Sequence, residues 1–264
     1  SNRIKELEAR LGVRLLNRTT RKLTPTDAGR LFHEHACRVI AELEEAEAMV
    51  AGLSGNPKGA LRVSAPLGTG RRLIAPLVPE FCDLYPEVEI RLRLTDRHIN
   101  LVEDQLDMAF FLGQPQDSSL KWRKIADCKR VLVASPDYVA RVGAPERPDD
   151  LQHHKCLLLR FPRSPEYFWM LETPEGPRKM MVRGRFDADE TDVLTDWALA
   201  GKGIVMRPRF DVAAHLAAGR LVEILPATPP MPAQFGCLYP HRRLPDPKLR
   251  MFLDFVAERL RGRF

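Results

Sequence analysis

Between Ala28 and Leu53, spacings of three and four dominate among the apolar positions Ala28, Leu31, Phe32, Ala36, Val39, Ile40, Leu43, Ala46, Met49, Val50 and Leu53. That period marks one face of an α-helix, sustained over more than three heptads. Thr24 or Thr26 stands where a helix N-cap is expected. At about 1.5 Å per residue such a helix is roughly 40 Å long. A lone helix cannot bury a stripe of that width, so the chain must cover it with another domain or a second copy of itself. The stripe ends at Ser54-Gly-Asn-Pro-Lys-Gly59, a cluster of helix breakers that reads as a linker.

Beyond the linker the texture changes to short strands alternating with helices. Strands are predicted at 61–65, 88–94, 108–112, 131–135, 156–161, 182–186, 204–207, 221–225 and 235–239. Helices are predicted at 70–85, 97–105, 136–142, 148–152, 191–200, 209–217 and 247–261. Such alternation implies an α/β fold with mostly parallel sheets. A length of 264 residues allows two domains at roughly 150 residues each. With 44% hydrophobic and 29% charged residues, the chain can build a sizeable core. No run approaches the roughly 18 apolar residues of a membrane span, and no signal peptide opens the chain. Cys37, Cys82, Cys128, Cys156 and Cys237 are odd in number and contain no CxxC pair. They support neither a disulfide framework nor a thiolate zinc site, and a reducing cytoplasm is the expected compartment.

The net charge of +6 is unevenly spread. Residues 1–22 carry seven basic side chains against two acidic ones, a net +5, and residues 242–264 a net +4. A basic end on a near-neutral body suits a polyanion-binding module, although Arg-rich helix faces are often merely solvated. Helical periodicity already runs at Ile4, Leu7 and Leu11, so the chain reads as beginning inside an element, with an upstream segment expected. The stretch from Asn17 to Thr26 reads as a short hairpin.

Catalytic motifs are weak. Gly68-Thr-Gly70 lacks the third glycine of a dinucleotide fingerprint and the lysine of a P-loop. His153, His154 and Cys156 have no metal-ligand spacing partner. Ser64 has no histidine in a suggestive context. No enzyme, metal or cofactor is expected. What recurs is a strand, a polar turn and a helix N-terminus, at Gly68–Gly70, at Thr95–Asp96 and at Asp187–Thr191. Helix N-termini bind small anions, and ligands of open α/β sheets sit beyond the strand carboxyl ends. Asp96 and Asp189 can equally be helix caps.

The run Ser1-Asn-Arg-Ile-Lys-Glu-Leu-Glu-Ala-Arg-Leu-Gly-Val-Arg-Leu-Leu-Asn-Arg-Thr-Thr-Arg-Lys-Leu-Thr-Pro-Thr-Asp-Ala-Gly29 strongly resembles the LysR-type transcriptional regulators. The likeness continues through Leu61-Arg-Val-Ser-Ala-Pro66, Leu77-Val-Pro-Glu-Phe81, Tyr85-Pro-Glu-Val88, Val131-Leu-Val-Ala-Ser-Pro136 and Leu199-Ala-Gly-Lys-Gly-Ile204. It is highly specific at the N-terminus and looser beyond. The resemblance implies the C-terminal part of a winged helix-turn-helix (1–24), a dimerising linker helix and hinge (25–59), and an effector domain of two α/β lobes similar to periplasmic binding proteins (60–264). Lobe I would be 60–127 with 239–264, and lobe II 128–238. Ser1, Asn2 and Arg3 would lie in the recognition helix, and Arg18, Thr19, Thr20, Arg21 and Lys22 in the wing. These types suit base-edge and phosphate contacts. The implied partners are a double-stranded DNA operator, a small effector, and further copies of the chain as a dimer or tetramer, with no membrane. A free-standing solute-binding protein, or an enzyme, on the two-lobed fold is the rival. The basic wing and the linker helix count against both.

In the two-lobed reading the effector is expected to be anionic and to lie between the lobes. Its lining would be Pro66, Gly68, Thr69, Gly70, Thr95, Asp96, Phe111, Leu112, Phe161, Asp189, Met206 and Arg207. Arg207 is the one cation expected there, unless it pairs with Asp187 or Asp189.

Overall fold

The computed structural model describes residues 2–18, 23–33, 35–36, 39–40, 43, 57–97, 99–113, 120–160, 167–240 and 246–264. Helix α1 (Asn2–Leu11) leads into a hairpin of β1 (Leu16–Arg18) and β2 (Leu23–Pro25), paired antiparallel as the sequence suggests. The Glu8 carboxylate accepts the N–H groups of Leu15 and Leu16, which locks the buried Leu15 under the helix. Thr26, not Thr24, caps the linker helix α2: its Oγ1 accepts the Gly29 N–H at 2.9 Å. At Gly29 a Cβ would stand 2.0 Å from the Leu15 carbonyl oxygen, so the wing and the linker helix can meet only through a glycine. Described residues of α2, at 27–33, 35–36, 39–40 and 43, are helical. Leu31, Val39, Ile40 and Leu43 are all more than half exposed, so this part of the stripe is uncovered within a single chain.

Two five-stranded sheets follow. The first, lobe I, has the order β4-β3-β5-β14-β6, with β3 Gly59–Ala65, β4 Val88–Leu94, β5 Met108–Leu112, β6 Leu120–Cys128 and β14 Ala233–Pro240. The second, lobe II, has the order β11-β8-β12-β7-β13, with β7 Arg130–Ala134, β8 Cys156–Leu159, β11 Asp187–Ala188, β12 Ile204–Pro208 and β13 Val222–Ile224. The sheets are mixed rather than mostly parallel. β3 runs parallel to β4 and β5, and β8 to β11 and β12, but β14 and β7 oppose their neighbours. The reason is topological. β6, β7, β13 and β14 carry the chain between the lobes without a helical crossover, and such strands must oppose the βα units.

β14 belongs wholly to the first sheet, so the chain returns to lobe I before residue 233, not at 239. Arg130 ties the two crossings together, its Nε donating to the Met231 carbonyl at 2.6 Å. The helices are α3 (Leu67–Thr69), α4 (Leu77–Leu84), α5 (Pro136–Val142), α6 (Thr191–Leu199), α7 (Arg209–Ala217) and α8 (Pro247–Arg259). A π-helical stretch, Gly70–Ile74, runs on from α3. The expected strand at 182–186 is not formed. An antiparallel hairpin of β9 (Phe168–Thr173) and β10 (Gly176–Met181) precedes it instead.

Strand alternation sorts the cores. Leu61, Val63, Met108, Phe110, Phe235 and Cys237 face α4 and α8 in lobe I. In lobe II Val131, Val133, Leu157 and Val205 face α6 and α7, while Leu132, Cys156, Leu158 and Ile204 face the β9–β10 side.

Candidate functional site

Lobe I and lobe II meet at strand carboxyl ends. β3 runs into Pro66 and α3, and β12 ends at Arg207 and Pro208 before α7. At Gly68 the lobes pack closely: a Cβ there would lie 2.7 Å from Thr191 Oγ1 of lobe II and 3.0 Å from Arg72 Nη1. Arg72, from the π-helical stretch of lobe I, crosses to lobe II. It donates a short hydrogen bond from Nη2 to Asp192 Oδ1 in α6, and its Nη1 lies 3.6 Å from Asp211 Oδ1 in α7. Arg207 completes the group, bonding Asp211 at 2.9 Å and lying 3.6 Å from Asp192.

Burial governs this cluster. Arg207 is 2% exposed, as is the Asp211 side chain. Burial pulls the Arg207 pKa below the ordinary guanidinium value against the fields of Asp211, Asp192 and Glu190. Burial likewise lifts Asp211 above the carboxylate range, opposed by Arg207 and Arg72. For Arg72, burial works against the charge, yet its bond to Asp192 and the fields of Asp211, Asp192 and Glu190 outweigh it and raise the pKa. Arg72 Nη1, Arg207 Nε, Asp211 Oδ1 and Asp96 Oδ2 are buried without hydrogen-bond partners.

The sequence-predicted residues divide. Pro66, Gly68 and Thr69 stand at the inter-lobe approach, and Gly70 opens the π-helical stretch behind them. Asp96 joins them: its Oδ1 accepts the Leu67 N–H at 2.9 Å, and burial raises its pKa against that bond, with Glu190, Asp189 and Arg207 all within its field. Thr95 Oγ1 accepts the Arg97 N–H, and the expected helix at 97–105 is a set of turns held by Asn100 and Asp104. Asp189 is exposed, and α6 is capped instead by Glu190, which accepts the N–H groups of Asp192 and Val193. Arg207 pairs with Asp211 and Asp192 rather than Asp187, which holds Arg160 and the Tyr167 hydroxyl. Neighbouring strand residues point to opposite faces. Met206 therefore packs toward the β9–β10 side while Arg207 turns to α6 and α7, and Phe111 stands edge-on to Trp122 while Leu112 packs toward the core of lobe I. Phe161 lies outside the described residues.

The chain's own carboxylates take the Leu67 N–H of α3 and the Asp192 and Val193 N–H groups of α6, and no helix forms after Thr95–Asp96 among the described residues, while Arg72 Nη1 and Arg207 Nε keep N–H donors without a hydrogen-bond partner. Arg72, Glu190, Asp192 and Asp211 were not singled out from sequence. Only Asp211 left a signal, an acid four residues beyond Arg207.

At the basic end, Arg3 is exposed on α1. Ser1, Thr19, Thr20, Arg21 and Lys22 lie outside the described residues, as do the side chains of Asn2 and Arg18. Ser64 is fully buried, its Oγ donating to the Arg93 carbonyl, and is no nucleophile in reach of solvent. Among the described residues no cluster of His, Cys, Asp and Glu could hold a metal ion, and no helix is long and apolar enough to cross a membrane.

Residues 54–261 match the LysR substrate binding domain, and residues 1–30 match the bacterial regulatory helix-turn-helix protein of the lysR family. The chain belongs to the LysR family of transcriptional regulators. An HTH-type transcriptional regulator of Xanthomonas campestris is 35% identical over 263 residues, covering 98% of this chain and 76% of the relative. DmlR of Escherichia coli is 33% identical over 258 residues, covering 98% and 84%. Among solved structures, CrgA of Neisseria meningitidis aligns with a TM-score of 0.69 at 33% identity, covering 97% of this chain and 87% of that one. Full-length AphB of Vibrio cholerae aligns at 0.68 and 32%, covering 97% and 88%. The regulator thus joins the helix-turn-helix segment, the linker helix and a two-lobed domain of the effector-binding type. A free-standing solute-binding protein does not account for the match at 1–30.

Proposed function

We propose that the regulator senses a small molecule in the cleft between its lobes and passes the lobe geometry through α2 to operator DNA, acting in the cytoplasm as a homodimer or tetramer and not as an enzyme. The observation carrying the cleft assignment is the inter-lobe approach at Gly68, with unpartnered buried polar atoms beside it. Buried polar groups cost free energy unless they are hydrogen-bonded, and a ligand can supply those bonds. Pro66, Gly68, Thr69, Asp96 and Arg207 are the candidate contacts. The uncovered residues of the α2 stripe support the oligomer, and a dimer would present two reading heads to a pseudo-palindromic site. Arg3 and the basic residues of the wing are the candidate DNA contacts.

The test is calorimetry of a panel of small carboxylates, amines and amino acids against the wild-type chain and Gly68→Val. A ligand that binds the wild type and loses at least tenfold in affinity in the variant supports the cleft. A ligand with unchanged affinity in the variant removes it.

A further inference from the structure

Acids outnumber bases in the inter-lobe cluster, and among the described residues Arg72 is the cation of lobe I that ion-pairs with it. On the lobe II side stand the carboxylates of Glu190, Asp192 and Asp211, with Arg207 as the cation packed among them. Glu190 is used as a cap, and Asp192 accepts from Arg72. Asp211 Oδ1 is buried and makes no hydrogen bond, and it faces Arg72 Nη1 at 3.6 Å. That distance is beyond a hydrogen bond, so the guanidinium neutralises this oxygen without satisfying it. Arg72 is also the most accessible of the four paired groups, its side chain 35% exposed. By contrast, the pairs Arg123–Asp254, Arg160–Asp187, Arg209–Glu223 and Arg259–Glu80 each stay within one lobe.

We propose that Asp192 and Asp211 form a cation-binding subsite on lobe II, that Arg72 occupies it as a stand-in when no effector is bound, and that the effector carries an ammonium or guanidinium group which displaces Arg72. The subsite rests on the cleft reading above only for its link to the effector. Arg72 then has two consequences for the regulator. While it is seated, it latches lobe I to lobe II through two carboxylates on different helices. When a ligand cation takes its place, the latch is released and the lobes are held only by what the ligand itself touches. An anion at the position of the Arg72 guanidinium would meet Asp192, Asp211 and Glu190 as like charges, which is why the subsite selects for positive charge.

Chemical rescue tests this without knowing the effector. Arg72→Ala in the full chain empties the subsite, and methylguanidinium, at millimolar concentration, is the probe. The variant should unfold more readily than wild type. Methylguanidinium at ten times its Kd should raise its folded-to-unfolded ratio about 11-fold. Wild type, where the probe must first displace the tethered Arg72, should shift far less than the variant, and the variant should not shift in matched sodium acetate. Adding Asp192→Asn to the variant should abolish the rescue. Should Arg72→Ala not fold, Arg72→Gln keeps the bulk without the charge and carries the same titration. Equal effects of methylguanidinium on wild type and variant, or equal rescue by acetate, overturn the subsite. Failed rescue beside an intact Gly68→Val result overturns the subsite and leaves the cleft. Rescue beside a failed Gly68→Val result keeps the subsite and removes only the cleft reading.

Discussion

Asp211→Asn isolates the buried half of the inter-lobe cluster. Arg207 and Asp211 are each 2% exposed, and they meet at 2.9 Å. Removing one partner of a buried pair costs about 3–5 kcal/mol, because the other charge is left in a poor environment. Asp192 still lies 3.6 Å from Arg207 and takes up part of the charge, which places the expected loss near the lower limit, about 3 kcal/mol. For a chain of this size that is a fall in melting temperature of about 6–12 °C. Urea unfolding at fixed protein concentration and neutral pH measures it. Arg207→Met with Asp211→Leu removes both charges and should recover most of the loss. Arg178→Ala breaks the exposed pair with Asp149, where both side chains are about half exposed, and should cost no more than about 1 kcal/mol. An Asp211→Asn loss within that surface range would refute the reasoning. It would mean that burial has already protonated Asp211 and that no ion pair exists to break.

Three further outcomes follow from other parts of the molecule. Leu43→Asp puts a charge on the exposed stripe of α2 and should shift sedimentation toward the monomer; an unchanged oligomer would mean that another surface assembles the regulator. Arg21→Ala should weaken binding to all DNA sequences alike and flatten the plot of log affinity against log salt by about one unit of slope, whereas a loss confined to one operator variant would indicate base reading. Burial pushes the Cys156 thiol up to about 12, so it stays protonated in the folded chain while the unfolded chain ionises near the ordinary value of 9.0. Its contribution is complete below pH 9 and is lost as pH rises toward 12, at about 1.4 kcal/mol per pH unit. Cys156→Ala should flatten the stability–pH curve by that slope over this interval, and an unaltered slope would show that the thiol ionises in place.

Much of the scaffold was legible because its elements are punctuated. Pro136, Pro247 and the Thr191 turn mark helix starts, and β4, β5 and α7 fall where hydrophobic period and turn residues put them. β6 was missed because Lys121, Arg123, Lys124 and Asp127 charge it throughout. It lies at the edge of its sheet, where charges suit a strand that must resist further pairing. The 97–105 segment has an apolar period, but its Asn and Asp side chains close local turns on the backbone instead. Within the site, Arg207 was legible from its place at a strand end. Arg72 was not: it follows Arg71 and precedes an apolar run, just as a solvated arginine would. Its partners lie 120 and 139 residues further along, so no local spacing announces them. Glu190 was passed over for Asp189 because adjacent acids before a helix look alike until the cap is seen.

The position of β14 sets an order of events during synthesis. Lobe II is continuous in sequence from β7 to β13, so its whole sheet has been made by Ile224. Lobe I is not: β6 touches its sheet only through β14, and the core of that lobe is closed by α8 at the end of the chain. A nascent chain stopped before Ala233 would therefore hold a complete second lobe beside a first lobe lacking two strands' worth of pairing, with Phe110 stripped of its stacked partner Phe235. Domains fold as they leave the ribosome, in the order in which their parts become available. For this regulator the half made first is the half finished last, and a ribosome that falls off early releases a protein with no cleft to close.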